Sequence, residues 1–288
     1  MPLILFLNLK GGVAKTVNAV AVAECLASRK KRVLCIDADH QAMASELLLG
    51  PQRLEQAERR KKTLHDLFSS MLNETFIADN ICSFVSPQAS NVRSLRAYLD
   101  CIPCSHRIDE FQTNMAKARK GYKSGPDFLR FWNRLRKDFI RWCNKRYDYT
   151  IVDCPPSFAV HVLFFLGCAE FFILPSIPDR LSVRGSLYLM ERLRLKNFRH
   201  IQCLGTLWSM VRVQAVKHRE IMQAVAQKKG DLEKMPLPFR TVIPNMSAIA
   251  FAVDRYKEFN YLETKYQKKP ASIFKSLCRE IVERIEQY

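Results

Sequence analysis

The run Leu9-Lys10-Gly11-Gly12-Val13-Ala14-Lys15-Thr16 gathers two glycines, two lysines and a threonine. That combination suits a phosphate chain. Glycines, lacking Cβ, let backbone N–H groups approach anionic oxygens closely. Lys15 can reach β- and γ-phosphates, and the Thr16 hydroxyl is a hard oxygen ligand for Mg²⁺. Two other runs bring carboxylates: Lys31–Gln41 carries Asp37 and Asp39, and Tyr147–Ser157 carries Asp153. Each follows a hydrophobic stretch of strand length, so each places acid groups at the end of a strand.

The elements that must position these groups follow from the hydrophobic pattern. Short apolar runs fall at Leu3–Leu7, Val33–Ile36, Tyr149–Val152, Phe171–Leu174, Leu204–Met210 and Thr241–Ile243, with a weaker one ending at Ile102. They lack strict alternation, as expected of strands covered on both faces. Helical stretches lie between them, which predicts an α/β, doubly wound, mostly parallel sheet flanked by helices. Val17–Ser28 is apolar and Ala-rich and reads as the helix after the glycine turn. Strand, glycine turn and helix N-terminus together form an anion site. The carboxylates at the strand ends belong at the same edge, where open α/β sheets bind ligands. One domain over 1–288 is expected, with an elaborated basic region at about 51–146. Within it, Glu55–Lys62 and Lys117–Ser124 read as loops or mobile helices, and any linker falls at Gly121–Pro126.

The glycine run departs from the usual phosphate-loop pattern, with Leu9 and Ala14 where its two glycines would stand. It reads K-G-G-x-x-K-T, with Lys10 five residues before Lys15. In this it resembles the deviant Walker A of the ParA/MinD/nitrogenase-iron-protein superfamily. Asp37-Ala38-Asp39-His40-Gln41 is similar to that family's D-x-D-P-Q, with His40 for the usual Pro. Asp153-Cys154-Pro155-Pro156-Ser157 resembles the Walker B of the ParA/Soj branch. Further similarity lies in Leu174–Gly185, His218–Ile221 and Thr241–Pro244, so the likeness covers most of the chain. It implies ATP and Mg²⁺ as cofactors, with ATP held by Lys10, Gly11, Gly12, Val13, Ala14, Lys15, Thr16, Val17, Pro244 and Asn245. Thr16, and Asp153 through a water, would hold the metal, with Asp37 a further candidate. Lys10, Lys15 and Asp39 would be catalytic: Asp39 would orient the attacking water, and Lys10 would reach the ATP of a second copy in a nucleotide sandwich homodimer. The implied activity is a slow ATPase, stimulated by a ParB-like or cargo-adaptor protein.

The 288 residues hold 46 Lys plus Arg against 28 Asp plus Glu, a net charge of +18 that favours a polyanionic partner. Half of it lies in Lys117–Arg146, which nets +9. There Phe128, Phe131, Trp132, Leu135, Phe139 and Trp142 share one face of a predicted helix. Arg130, Arg134, Lys137, Arg141 and Lys145 share the other, with Asp127 and Asp138 at the margin. A second basic group is Arg192, Arg194, Lys196 and Arg199, and a third is Lys265, Lys268 and Lys269. Asn245 and Ala248 stand where many ParA relatives carry arginine, and Arg212 is a candidate replacement. The basic residues of the first two groups, with Arg212, are the expected contacts to nonspecific DNA.

No apolar run is long enough to span a membrane. The N-terminus lacks a basic leader, so a secretory signal is not expected. It also starts close to the first strand, so no preceding DNA-reading domain is expected. The 10 cysteines read as reduced and buried, Cys25, Cys35, Cys154 and Cys168 among them; Cys101 and Cys104 have no second pair at zinc spacing. Ile273–Ile285 reads as a docked amphipathic helix of mixed charge, which argues against a membrane-surface role. The expected function is a cytoplasmic, nucleoid-associated ATP switch that partitions or positions plasmid, chromosome or other cargo. The alternative is a MinD-like membrane-associated positioning ATPase. A reductase ATPase clasping an iron–sulfur cluster and a non-hydrolysing scaffold are the remaining rivals.

Overall fold

A computed structural model describes every residue except Glu74, Lys123 and Arg255. Six strands, β1 Leu3–Phe6, β2 Val33–Asp37, β3 Leu99–Ile102, β4 Tyr149–Asp153, β5 Phe171–Ser176 and β6 Gln202–Trp208, form one sheet. Its order is β3-β2-β4-β1-β5-β6, and every pairing is parallel. The helices among the described residues are α1 Lys15–Ser28, α2 Met43–Leu49, α3 Pro51–Arg59, α4 Leu64–Met71, α5 Phe111–Lys120 and α6 Gly125–Arg146, then α7 Val160–Leu166, α8 Arg180–Leu195, α9 Val216–Ala226, α10 Ser247–Asp254, α11 Leu262–Tyr266 and α12 Lys268–Ile285.

The strand sequences explain the layering. Alternate side chains of a strand face opposite sides of the sheet. Ile4 and Phe6 pack with Ala19, Val22, Phe274 and Ile281 of α1 and α12. Leu3, Leu5 and Leu7 join the other layer, with Phe139, Phe164 and Leu189 of α6, α7 and α8. Parallel strands therefore need apolar residues at every position, and the runs are continuous for that reason. This is the expected doubly wound α/β architecture.

Several local expectations change. Thr241–Ile243 is not a strand. The Glu280 carboxylate on α12 accepts from the backbone N–H groups of Arg240 and Thr241, at 2.8 and 2.9 Å. Those two donors are thereby taken from any ladder; Ile243 N donates to the Trp208 carbonyl at 2.9 Å, beside an isolated Val211–Pro244 bridge. Most of Glu55–Lys62 lies in α3, and Lys117–Lys120 closes α5. Of the predicted linker, Lys123 lies outside the described residues. The rest turns directly into α6, where the Ser124 side chain accepts from Asp127 N and Pro126 occupies the first turn. All ten cysteines are free and eight are buried, Cys25, Cys35, Cys101, Cys104, Cys154 and Cys168 among them; against the expectation, Cys82 is exposed and Cys203 half-buried. The C-terminal helix α12 buries Phe274, Leu277 and Ile281, so its apolar stripe faces the core.

Candidate nucleotide site at the carboxyl edge of the sheet

The glycine turn joins β1 to α1. Gly12 has φ +73°, a left-handed conformation that glycine adopts without cost, and a Cβ built on Gly11 or Gly12 would meet nothing within 4 Å. The turn is therefore open on its outer side. Ala14 is left-handed as well, at φ 61°, and α1 begins with no side-chain cap. Its first-turn N–H groups lack a side-chain acceptor, the arrangement a bound anion satisfies. Val13 is fully buried and offers only backbone, while Thr16 and Val17 are half-buried at the rim. Lys15 is folded inward, its Nζ donating to the Lys10 carbonyl at 3.3 Å. Burial holds its ammonium below the usual lysine range, against the opposing pull of Asp153 and Asp39.

The carboxylates converge there. Asp37 and Asp153 are register partners on β2 and β4, and both are sealed from solvent. Their environments differ. Asp37 accepts from Ser45 N at 2.8 Å, Ser45 Oγ at 2.7 Å and Asp39 N at 3.1 Å. Burial nonetheless pushes its pKa to about 6. Asp153 has no hydrogen-bond partner on either oxygen. Burial first, then repulsion from Asp37, raises its pKa well above the usual range; the nearby Thr16 hydroxyl and Lys15 ammonium offset this only in part. Asp39 lies just outside, with Oδ1 accepting from Gln41 N at 3.0 Å and His40 Nδ1 3.6 Å away.

An unpartnered buried carboxylate beside a threonine hydroxyl offers hard oxygen donors to a divalent cation, so Asp153 and Thr16 fit Mg²⁺. Asp37 is already hydrogen-bonded through both oxygens, which leaves it less free than Asp153 to turn towards a cation. Beside the turn lies a mostly apolar cavity of about 340 Å³ lined by Gly12, Val17, Asn18, Met210, Pro244 and Asn245, among others. A planar base attached to a phosphate chain fits such a site. Pro244 and Asn245 reach it through the Val211–Pro244 bridge and the Asn245 N–Val211 O hydrogen bond of 2.9 Å.

Two residues here escaped the sequence reading. His161 on α7 is buried, with Nε2 3.0 Å from the Ala38 carbonyl; Ala38 N donates to the Asp153 carbonyl at 2.9 Å. The loop that carries Asp39 is thus pinned from two sides. Burial lowers the His161 pKa to about 4, so the ring is neutral. Its one sequence signal was a lone histidine in an apolar run. The other is Asp179, whose two carboxylate oxygens lie 3.1 Å from Lys10 Nζ.

The basic residues are placed unevenly. The α6 face forms as expected, but its aspartates are not bystanders: Arg130 pairs with Asp127, and Arg141 with Asp138. Arg134 stacks over Phe131, and Lys137 and Lys145 are exposed. On and after α8, Arg192 is half-buried against Tyr188, while Arg194, Lys196 and Arg199 are exposed, as is Arg212. Lys265 is not a surface cation at all: its ammonium is buried against Glu24 at 2.7 Å. The structure brings the phosphate turn and the acidic strand ends into one site; the candidate cations stay distributed over separate helices.

A parallel sheet with a glycine turn between β1 and α1, and acid groups ending β2 and β4, defines the class of P-loop nucleotide-binding domains. Residues 1–202 match the family described as AAA domain (AAA_31), and the chain belongs to that family, as a ParA-like P-loop ATPase. It is 26% identical over 283 residues to the chromosome partitioning protein ParA of Caulobacter vibrioides, covering 96% of this chain and 92% of that protein. Among solved structures, cobyrinic acid a,c-diamide synthase from Mycobacterium smegmatis, with bound ADP and magnesium, has a TM-score of 0.68 and 18% identity, covering 99% of this chain and 96% of that one. An ATP complex of a substituted McdA from Cyanothece has a TM-score of 0.70 and 17% identity, covering 98% and 96%. At those identities the structural likeness speaks for the fold.

Proposed function

We propose that the chain is an ATP-dependent positioning switch acting as one domain. It binds ATP and Mg²⁺, closes into a nucleotide sandwich homodimer, holds DNA without sequence preference, and is released when a ParB-like or cargo-adaptor protein stimulates hydrolysis. The observation that carries this reading is the unpartnered Asp153 carboxylate beside Lys15 and Thr16. Lys15 and the turn amides of Gly11 to Thr16 would neutralise the phosphates. Thr16, and Asp153 through a water, would hold Mg²⁺, which would supply neutralising charge to the phosphates when bound. Asp39, fixed by its loop, would orient a water. Val17, Pro244 and Asn245 would contact the nucleoside. Sequence kinship to a chromosome partitioning protein supports a partition role, and the exposed cations Arg130, Arg134, Lys137, Arg141, Lys145, Arg194, Lys196, Arg199 and Arg212 supply a polyanion-binding surface. Such a role would make the protein cytoplasmic and nucleoid-associated.

The test is DNA retention by the purified chain with no nucleotide, with ADP and with ATP plus Mg²⁺. Only the last is expected to retain DNA, and the retention should fall steeply with salt through counterion release. Lys15→Ala should abolish both nucleotide binding and retention. DNA binding that is equal in all three conditions would overturn the switch.

A further inference from the structure

Lys10 carries the sandwich reading, and in this structure its ammonium is already engaged. Its Nζ lies 3.1 Å from Asp179 Oδ1 and 3.1 Å from Oδ2. Asp179 is also the N-cap of α8: its backbone is extended and its Oδ1 accepts from Ser182 N at 2.7 Å. The turn is tied to the same place by a second route. Lys10 N donates to Asn8 Oδ1 at 3.0 Å, and Asn8 Nδ2 donates to the Pro175 carbonyl at 2.7 Å and to Ser186 Oγ at 3.3 Å. A Cβ at Gly185 would stand 3.7 Å from Lys10 Cβ, so the lysine stem lies along α8 at contact distance.

We propose that Asp179 is an intramolecular latch: in the nucleotide-free chain it holds Lys10 in cis, and it must release that cation before Lys10 can engage a triphosphate. The proposal rests on the ATP-switch reading above. The geometry suits a restraint that is meant to yield. The lysine and aspartate side chains are 28% and 37% exposed, so water screens the pair and keeps it weak. The α8 amide that shares the carboxylate helps to fix it in place, so the latch does not depend on Lys10 to stay formed. Triphosphate oxygens are the stronger competitor for an ammonium, because they carry more charge in a closed site. A weak latch then biases the free state without blocking the loaded one.

Asp179→Asn separates the two roles of this residue. Asparagine caps a helix about as well as aspartate but carries no charge. In the nucleotide-free chain, trace acetic anhydride labelling of Lys10, read by mass spectrometry, should rise about threefold, the scale of an exposed ion pair. The ATP concentration for half-maximal dimer, read by sedimentation with Mg²⁺, should fall by about the same factor. Asp179→Glu keeps the charge and disturbs the cap, and should leave labelling near the parent level. Unchanged labelling in Asp179→Asn would overturn the latch whatever ATP does. Faster labelling with a higher ATP requirement would also overturn it, since Asp179 would then serve the assembled state. If neither parent nor variant dimerises with ATP and Mg²⁺, the switch reading fails, and the gating role falls with it.

Discussion

Glu24, on the third turn of α1, and Asp153, at the end of β4, are both sealed from solvent. They could hardly be treated more differently. Glu24 Oε1 accepts from Lys265 Nζ at 2.7 Å and Ser90 Oγ at 3.2 Å, and Oε2 accepts from the Tyr266 hydroxyl at 2.9 Å. Lys265 donates in turn to Asn91 Oδ1 at 2.8 Å. Every charge in that cluster is answered by the fold itself, and it ties α1 to α11 across most of the sequence. Asp153 has no partner on either oxygen. A buried carboxylate without a full set of partners is expensive in its charged form, so it is held protonated or is completed by something outside the chain. Burial therefore does not distinguish a structural carboxylate from a functional one; completion does.

The largest effect should come from breaking the completed cluster. Glu24→Gln leaves the Lys265 ammonium buried without its counter-charge and should cost about 3–5 kcal/mol. At about 2–4 °C per kcal/mol for a chain of this size, the midpoint should drop on the order of 10 °C. Urea denaturation checks it, and the affinity for ATP should be unaltered in the folded fraction. A double replacement, Glu24→Leu with Lys265→Met, should recover only part of the loss, because it removes the unpaired ammonium but leaves the buried Tyr266 hydroxyl and Asn91 Oδ1 without their partners. A cost below about 1 kcal/mol for the single change would mean the cluster is not the structural half of the contrast.

Asp153→Asn should move stability the other way. Neutralising an unpartnered buried carboxylate removes a desolvation penalty, while the amide left behind still lacks partners, so a net gain of about 1–2 kcal/mol is expected for the nucleotide-free chain. The sign of the pH dependence follows from the raised pKa. A carboxyl whose folded pKa exceeds its unfolded value near 3.9 favours folding below that value, and the benefit is lost as pH rises through the folded pKa. Asp37, at about 6, acts in the same direction. The gain from Asp153→Asn should therefore grow as pH is raised from the ordinary carboxylate range and vanish below it. Mg²⁺-dependent ATP binding should be lost in the same variant. Stability that falls in Asp153→Asn at neutral pH would place Asp153 beside Glu24 as a structural group.

How legible this contrast was in the sequence depends on range. The glycine turn, the acidic strand ends and all six strands, β3 the most weakly, are local patterns: each strand is a short apolar run, and β1, β2 and β4 are followed directly by the groups that do chemistry. The amphipathic face of α6 was legible for the same reason. Partners far apart in sequence were not. Lys265 lies in a stretch rich in charged and polar residues, Glu263 to Lys269, and reads as a surface cation; only the fold, which brings it to a residue on α1, shows otherwise. Thr241–Ile243 has strand composition, yet Glu280 takes the Thr241 donor at its start, and only Ile243 N reaches β6, at the Trp208 carbonyl. Asp179 and His161 act on the site through Lys10 and Ala38, across helices that no local pattern connects. Asp127 and Asp138 were placed at the edge of the basic face by helical geometry alone, which cannot say that long arginines will turn towards them.

The smallest effect concerns strain rather than charge, at the other end of the same helix α1. Ala14 holds a left-handed backbone, φ 61° and ψ 33°, at the start of the helix. For a residue with Cβ that conformation costs about 1–2 kcal/mol, and glycine avoids it. Glycine also loses more backbone freedom on folding, about 0.5–1 kcal/mol against alanine. The difference leaves Ala14→Gly more stable by about 0.5–1 kcal/mol, a rise of roughly 2 °C in a calorimetric scan. ATP affinity should change less than about threefold, because the turn geometry is already the one glycine prefers. A loss of affinity of tenfold or more in a stabilised Ala14→Gly chain would mean that the Ala14 methyl or the rigidity of the turn serves the ligand. The site would then hold two costs kept for function, an unanswered charge at Asp153 and a strained hinge at Ala14.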